Sequence, residues 1–312
     1  MGNKRLENLT YNITNTYYDT ELTEGEKLEI IYDEAQKQQE KETESNLQKS
    51  LFLRRKDKKD KLQEHLINEY GNFHLLFFNN LLSSGINKQY EFRFLLLNSL
   101  LEYNDNKLIW GKSKNKKGVI FMEKYAREKD LQEIWNLSKD ETRRTKETLL
   151  KANLISIDEN GYIKVNPKVA IRGNVNDKNI DKFTRVFNQT IQNLYYNSTP
   201  KEHKFLFNIV ELLPYINFNF NIICDEKSTN EKNIENIKPL NWKEISNKLG
   251  YKNLSRFKKD LLNITVGNKS AIMFIEKKNT KFITVNPSIF YRGNNINDLN
   301  TIAEYFKLKT NE

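Results

Sequence analysis

One segment of the chain occurs twice, and this constrains the fold more than any other feature. GYIKVNPKVAIRGN at 161–174 returns as KFITVNPSIFYRGN at 281–294, and an aspartate follows each copy within a few residues, Asp177 and Asp298. The segments that precede the two copies also correspond, so the chain consists of two versions of one structural unit. The repeat predicts two similar domains in tandem, and a chain of 312 residues has room for both.

Charge is distributed unevenly along the chain. Lys and Arg number 51 against 41 Asp and Glu, which gives a net charge of +10, yet residues 1–50 contain six bases and eleven acids. A basic body behind an acidic arm is typical of a protein that binds a polyanion, with nucleic acid first among the candidates. A genome rich in A and T, whose codons favour Lys and Asn, would give a similar composition, so this explanation stays open.

Several classes of protein find no support in the sequence. The single cysteine, Cys224, excludes an internal disulfide and a cysteine-rich metal site, and its apolar neighbours predict a core residue. His65, His74 and His203 are too far apart for the paired metal ligands of rolling-circle nucleases, and no Gly-x-x-x-x-Gly-Lys-Ser/Thr loop occurs. We therefore expect a protein that is not an enzyme and needs neither metal nor cofactor.

The sequence also lacks the signals of a membrane or exported protein. No apolar run approaches the roughly 20 residues that span a bilayer, and the N-terminus lacks the apolar stretch of a signal peptide. We therefore expect a soluble, cytoplasmic protein without a membrane partner.

Each half begins with apolar runs that predict helices. Residues 73–82 match 183–194 in their aromatic spacing, and a step of four residues would place Phe73 and Phe77 on one face of a helix. Second helices and then short strands are predicted in both halves, the helices at 91–103 and 203–215 and the strands at 107–110 and 220–224.

A helix-turn-helix follows in each half. The predicted helix pairs are 130–136 with 138–151, and 241–249 with 253–262. Ser138 is placed to cap its helix, with Glu141 as the capping-box partner. Gly250 occupies the turn of the second pair, as is common in this motif.

Each unit then ends in a predicted two-stranded hairpin. The first turns at Glu159-Asn160-Gly161, where Asn-Gly between alternating apolar residues is a strong hairpin signal, and the second turns at Lys278-Asn279. The order of elements predicts a winged helix twice, so the expected fold class is α+β and helix-rich, with two tandem winged-helix domains. The expected divisions are an acidic arm over 1–60 that is partly disordered or helical, winged-helix domains over 61–177 and 178–299, and a C-terminal tail over 300–312 with a short helix as an option.

The repeated element closes each hairpin with arginine and glycine. Gly173 and Gly293 are expected to adopt a positive φ at a tight turn. Arg172 and Arg292 then occupy the same place in both copies. We prefer the interpretation that this arginine ties the turn to the body of its domain through carbonyls or a carboxylate, and the alternative is a contact to phosphate.

The second helix of a helix-turn-helix lies in the major groove of DNA, where its N-terminal residues meet base edges. Arg suits guanine and Asn suits adenine, whereas Lys and Ser commonly contact phosphates. The outward face of 253–262 has almost no acid and is the cleaner candidate, whereas Asp140 and Glu141 of the other helix would repel phosphates. The candidate DNA-binding residues are Lys139, Arg143, Arg144, Lys252, Asn253, Ser255, Arg256, Lys259, Lys277, Lys278 and Lys281.

The chain resembles the RepL-type replication initiator proteins of Gram-positive plasmids and their phage relatives. The resemblance rests on a winged-helix core that ends in Asn-Pro-x-hydrophobic-x-x-Arg-Gly, here at 166–173 and 286–293, and it covers about 73–177 and 183–298. The duplication departs from the family pattern of one module, although tandem winged helices occur in iteron-binding initiators. The resemblance implies binding to repeated sites in a plasmid origin and recruitment of host replication proteins.

Three hypotheses remain at this stage. A replication initiator would bind direct repeats in double-stranded DNA and contact host proteins. A transcriptional regulator of a plasmid, phage or mobile element would bind an inverted repeat as a dimer, so a homodimer is an open option. In the third hypothesis the modules are protein–protein scaffolds, and the absence of salt-sensitive DNA binding would favour it.

Overall fold

The computed structural model describes residues 23–114, 120–173, 183–267, 269–277 and 280–308. It combines helices and strands in the mixed order of an α+β protein. The helices are α1 (Glu24–Tyr70), α2 (Phe78–Leu82), α3 (Lys88–Asn98), α4 (Leu131–Trp135), α5 (Lys139–Lys151), α6 (Asn188–Tyr196), α7 (His203–Leu206), α8 (Asn208–Glu211), α9 (Trp242–Lys248), α10 (Leu254–Leu262) and α11 (Ile296–Leu308). The strands are β1 (Phe73–Leu76), β2 (Ile109–Lys114), β3 (Ile120–Tyr125), β4 (Ile155–Ile157), β5 (Ile163–Val165), β6 (Ala170–Ile171), β7 (Thr184–Phe187), β8 (Thr265–Val266), β9 (Lys269–Ser270), β10 (Ile272–Lys277), β11 (Thr280–Val285) and β12 (Phe290–Tyr291).

The chain divides into two compact units, residues 1–63 and 64–312. The described part of the first unit is helical from Glu24 onward, and several of its large apolar side chains are exposed, for example Tyr32 by 72% and Phe52 by 67%. The helix expected as one option for the acidic arm is therefore present, while residues 1–22 lie outside the described part. Both copies of the repeat belong to the second unit.

A four-stranded antiparallel sheet joins the two halves of the second unit. Its strand order is β12-β7-β1-β6, so two strands come from each half. One continuous hydrophobic core includes Leu76 and Ala170 from the first half with Val186 and Phe290 from the second, all nearly inaccessible to solvent. The halves thus share a sheet and a core, because neither pair of short strands could bury its apolar faces alone.

The prediction of helices throughout 73–82 and 183–194 is wrong for the first residues of each run. Both runs begin as strands, β1 and β7, and become helical only in α2 and α6. All four residues of β7 are buried, Thr184 and Arg185 included, so burial does not alternate along the strand. A short continuous apolar run does not distinguish a buried strand from a helix, and here pairing between the two halves decides for the strand.

The second predicted helix of each half is present in two different forms. α3 is continuous, whereas the equivalent stretch of the second half is divided into α7 and α8. The strand predicted over 107–110 appears as part of β2. The strand predicted over 220–224 is wrong, because Asn221 has a φ of +51° that interrupts the extended run. The segment makes three isolated bridges instead, from Ile222 to Thr284, from Ile223 to Ile216 and from Cys224 to Pro239.

The paired helices and the hairpins are confirmed in both halves. α4 and α5 are followed by the hairpin β4–β5, and α9 and α10 by the hairpin β10–β11. Ser138 caps α5, because its Oγ accepts from the Glu141 amide at 3.4 Å. The predicted capping box is otherwise wrong. The Glu141 carboxylate does not accept from the backbone amide of Ser138 but from Nη1 of Arg93, at 2.6 Å.

The repeated closing element ties each hairpin to the body of its own half. Arg172 donates to the carbonyl of Leu101 at 2.9 Å, and Arg292 donates to two carbonyls of the equivalent segment, Leu213 at 3.2 Å and Ile216 at 2.9 Å. The preferred interpretation of these arginines as structural ties is therefore confirmed.

The two glycines of this element differ in backbone conformation. Gly173 has a φ of +137°, as expected, but Gly293 does not have a positive φ. A Cβ atom at Gly293 would collide with the hydroxyl of Tyr291 and approach the Phe218 carbonyl to 3.0 Å. The second glycine is thus required by space, which corrects the expectation of a common backbone conformation.

Candidate nucleic-acid interface

The most basic exposed helix face of the second half belongs to α10. Asn253 caps this helix, with its side-chain oxygen accepting from the Arg256 amide at 2.9 Å. Phe257 and Leu261 are fully buried, so Ser255 and Lys259 lie with Arg256 on the opposite, exposed face. Bidentate recognition of adenine by Asn253 would need the same side-chain oxygen, so this residue cannot read adenine while it caps the helix.

Arg256 extends across the surface beside α7. Its side chain is 68% exposed, its Nε lies 3.9 Å from the Asp260 carboxylate, and its guanidinium lies 5.8 Å from the ring centre of Phe205. Both contacts are long, and exposed pairs of this kind contribute little free energy. The guanidinium can therefore exchange these neighbours for a base or a phosphate without a large loss.

A cavity with a volume of about 550 Å³ opens beside the first turn of α10. Asn253 and Arg256 form part of its wall, together with Lys204 of α7 and Lys88 of α3. Lys88 is neutralised by the carboxylate of Glu211 at 2.7 Å. Lys204 adds a positive charge that sequence reasoning missed, because it precedes α10 by some fifty residues and only the packing of α7 against α10 brings it there.

The corresponding helix of the first half, α5, presents a mixed face. Thr145 and Leu149 are buried, and Lys139, Arg143 and Arg144 are exposed as expected. Arg143 lies 3.5 Å from Glu147, and Arg144 lies 3.7 Å from Glu141. The acids of the same helix thus compensate two of its three candidate cations, which lowers the attraction of this face for phosphate.

Both hairpins carry acidic as well as basic residues. At the tip of β4–β5, Asp158 accepts from the amides of Tyr162 and Asn160, each at 3.0 Å, and the bond to Tyr162 is the main reason that the pKa of Asp158 lies below its ordinary value. In β10–β11, Lys281 is exposed opposite Glu276. Lys277 is the last residue of β10, its side chain lies outside the described part, and so does the whole of the candidate Lys278.

The described residues thus form two separate groups of candidates. Lys252, Asn253, Ser255, Arg256 and Lys259 belong to α10 and the turn before it, and Lys139, Arg143 and Arg144 to α5. The helical spacing of buried and exposed residues was the signal for both groups. Lys258, also exposed on α10 and 5.8 Å from the ring centre of Trp242, is a further basic residue of this face that the sequence-based selection missed.

Two of the three histidines and the single cysteine are enclosed in the core. Burial lowers the pKa of His74 and of His203 to about 4 and raises the pKa of the Cys224 thiol to about 12. His65 lies at 3.0 Å from the side-chain oxygen of Asn300. Within the described ranges, no three His, Cys, Asp or Glu residues are grouped so that they could hold a metal ion.

Comparison of the chain with protein-family models, with curated proteins and with solved structures gives no match. None of the helices in the described part of the chain combines the length and the apolar character needed to cross a membrane.

Proposed function

We propose that this protein is a plasmid replication initiator, which binds repeated sites in origin DNA in the cytoplasm and recruits host replication proteins. In this proposal the second unit contributes two winged-helix domains, over 61–177 and 178–299. The observation that carries the proposal is the exposed basic face of α10, which belongs to a helix pair followed by a hairpin. This is the arrangement in which a second helix enters the major groove and the hairpin follows the backbone.

The distribution of charge supports DNA as the partner of this face. Arg256, Lys258 and Lys259 project from α10, Lys252 precedes it, and Asp260 is the single acid on the helix. Clustered cations bind DNA by releasing condensed counterions, so the affinity should fall steeply with salt. A protein–protein scaffold would more commonly expose an apolar patch on the corresponding surface.

The resemblance to RepL-type proteins supports the initiator rather than another DNA-binding protein. A transcriptional regulator of a plasmid, phage or mobile element is the second candidate, and one observation favours it. β1 and β7 pair antiparallel, so the two halves face in opposite directions. Operators bound by regulators commonly have the matching inverted symmetry.

The test uses DNA fragments that flank the gene of this protein. Footprinting with the full chain should reveal an array of repeated sites beside an AT-rich tract, and the same fragment should allow an origin-less vector to replicate when the protein is supplied in trans. Arg256→Ala should lose both effects. A single protected site over a promoter, without replication in trans, would assign the regulator instead, and the lack of any salt-sensitive binding would refute both candidates.

A further inference from the structure

The second unit contains an approximate twofold axis, which is defined by the pairing of its central strands. β1 and β7 are equivalent in the two halves, since Phe73 matches Phe183. They pair antiparallel with Leu75 opposite Arg185, and these two residues are themselves equivalent. An antiparallel pair centred on equivalent residues has a twofold axis through that pair, normal to the sheet.

The outer strands obey the same axis. Leu75 lies opposite Ile171 of β6, and its equivalent Arg185 lies opposite Tyr291 of β12. Ile171 and Tyr291 occupy the same place in the repeated segment. The axis therefore relates β1 to β7 and β6 to β12, and it passes through the centre of the sheet, whose strand order is β12-β7-β1-β6.

Side-chain hydrogen bonds away from the axis are repeated as well. Nδ2 of Asn106 donates to the carbonyls of Val165 and Ala170 at 2.9 and 3.3 Å. Nδ2 of Asn221 donates to the two equivalent carbonyls of the second half at 3.3 and 2.8 Å. The arginine ties of the closing element repeat in the same way. The twofold relation therefore includes the closing turns and the ends of the hairpins.

The axis also relates the two candidate recognition helices, α5 and α10. α3 and α7 pack against each other across it, with Nε of Arg93 donating to Nδ1 of His203 at 3.4 Å. Each then holds the second helix of its own half. Arg93 binds Glu141 of α5, and Phe205, which is equivalent to Arg93, lies beside Arg256 of α10. α3 packs against α5, and α7 packs against α10, so α5 and α10 lie on opposite sides of the axis.

Duplex DNA has twofold axes of its own, normal to the helix axis. Two recognition helices related by a twofold axis match half-sites of opposite direction, whereas direct repeats would require helices related by a translation. The two faces differ chemically: on the register set by the buried pairs Thr145 with Leu149 and Phe257 with Leu261, Glu147 of α5 stands where α10 has Lys259. The two half-sites should therefore differ in sequence and in strength.

We propose that one chain binds one imperfect inverted repeat of duplex DNA, with α10 on the stronger half-site and α5 on the weaker. In an origin with an array of repeats, each repeat would then contain two half-sites of opposite direction and would bind a single chain. This inference rests on the proposed DNA-binding function, but it concerns the symmetry and stoichiometry of the site and not the biological process.

The first test selects binding sequences from a random double-stranded library with the full-length chain. The expected result is an imperfect inverted repeat, and native mass spectrometry of the complex should show one chain per repeat. Selection of a direct repeat, or of an inverted repeat with one chain on each half-site, would overturn the proposal and leave the DNA-binding function intact. Absence of any bound sequence would overturn both.

A second test locates each helix on the DNA. Lys151 and Asn263 are equivalent exposed positions at the C-terminal ends of α5 and α10, away from the base-reading residues. Lys151→Cys and Asn263→Cys are each labelled with an iron-chelate nuclease, and the buried Cys224 serves as the unreactive control in the parent chain. The cleavage maxima should lie in different half-sites of one repeat and be exchanged by inverting the sequence. Cleavage in the same half-site by both variants would contradict the proposal.

Discussion

At the scale of single residues, exposed cations and buried charged groups have opposite roles. Arg256 is mostly exposed with distant partners, whereas Arg93 and Arg292 are almost inaccessible and donate to fixed acceptors. The exposed arginine is available to a ligand, and the buried ones hold helices and turns in place. Substitutions should therefore separate binding from stability.

We expect Arg256→Ala to weaken binding to the selected site by about 1–3 kcal/mol and to relax the preference at one base position, because a bidentate contact to guanine is lost. Stability should change by less than about 0.5 kcal/mol, since the side chain is exposed. Titrations on the selected and on scrambled DNA measure both affinities. Arg144→Ala is the matched control on α5 and should have a smaller effect. An equal loss on both DNAs would refute the base-reading role.

Glu91 provides a prediction for the pH dependence of stability. Its side chain is 4% exposed, and burial raises its pKa to about 8, with Glu211 adding to the rise and the hydroxyl of Ser84 opposing it. The folded protein thus holds a proton that the unfolded chain releases above pH 4.5, so this residue destabilises the fold as the pH rises from 4.5 to 8.

We expect Glu91→Gln to remove this loss of unfolding free energy at high pH, which is on the order of 1–3 kcal/mol. The variant should be more stable than the parent chain at pH 9 and gain little or nothing at pH 5, because the parent carboxyl is neutral in the folded state there. Urea unfolding at both pH values gives the comparison. A gain of the same size at both pH values would show that the ionisation of Glu91 is not its cause.

At the scale of elements, α5 and α10 share their packing but not their charge. α10 carries Lys259 where α5 carries Glu147, and the hairpin behind α5 has Asp158 and Glu159 at its turn. The attraction of each helix for phosphate would therefore depend on its few exposed positions, while the buried positions fix each helix in the equivalent place within its own half.

Removing the positive charge at position 259 and introducing one at position 147 should shift phosphate affinity from α10 to α5. Lys259→Ala should weaken binding to specific and random DNA alike and reduce the slope of log K against log salt by about one unit. Glu147→Lys should increase that slope by about one unit. Glu304→Lys makes the same change of charge at an exposed position of another helix, α11, and is the control. Equal slopes for Glu147→Lys and the control would exclude a phosphate contact at this position of α5.

At the scale of the whole second unit, the shared sheet and core couple the two halves. β1 has a strand of the other half on one side and β6 of its own half on the other. Hydroxyls of the second half also bond to the first, since Tyr195 and Tyr196 donate to the carbonyls of Trp135 and Ile134, each at 2.9 Å. Separation would expose apolar faces and strand edges of both halves.

We therefore expect residues 64–312 to unfold as one cooperative unit. Hydrogen exchange measured in the full chain should give β6 and β12, which come from different halves, the same free energy of opening. Leu76→Ala, at a fully buried position of β1, should lower both values together by about 2–5 kcal/mol. Independent opening of the two halves, with only the first affected by the substitution, would contradict this coupling.

Features that depend on neighbours along the chain could be predicted from the sequence alone. The capped helix pairs, the hairpin turn at Asn160-Gly161 and the duplication follow from local signals, namely caps, turn residues and helical spacing. The exposed candidates of α5 and α10 could be predicted for the same reason, because burial of every third or fourth residue leaves the rest in solvent.

Features that depend on contacts between segments far apart in the chain emerge only in the folded protein. The apolar runs at β1 and β7 fit a helix as well as a strand, and their mutual pairing selects the strand. Packing between segments far apart in the chain places Lys204 beside α10. It also pairs the Glu141 carboxylate with Arg93 instead of with the N-terminus of its own helix. The twofold axis is of the same kind: duplication makes two units alike, but the register of Leu75 with Arg185 determines how they face each other.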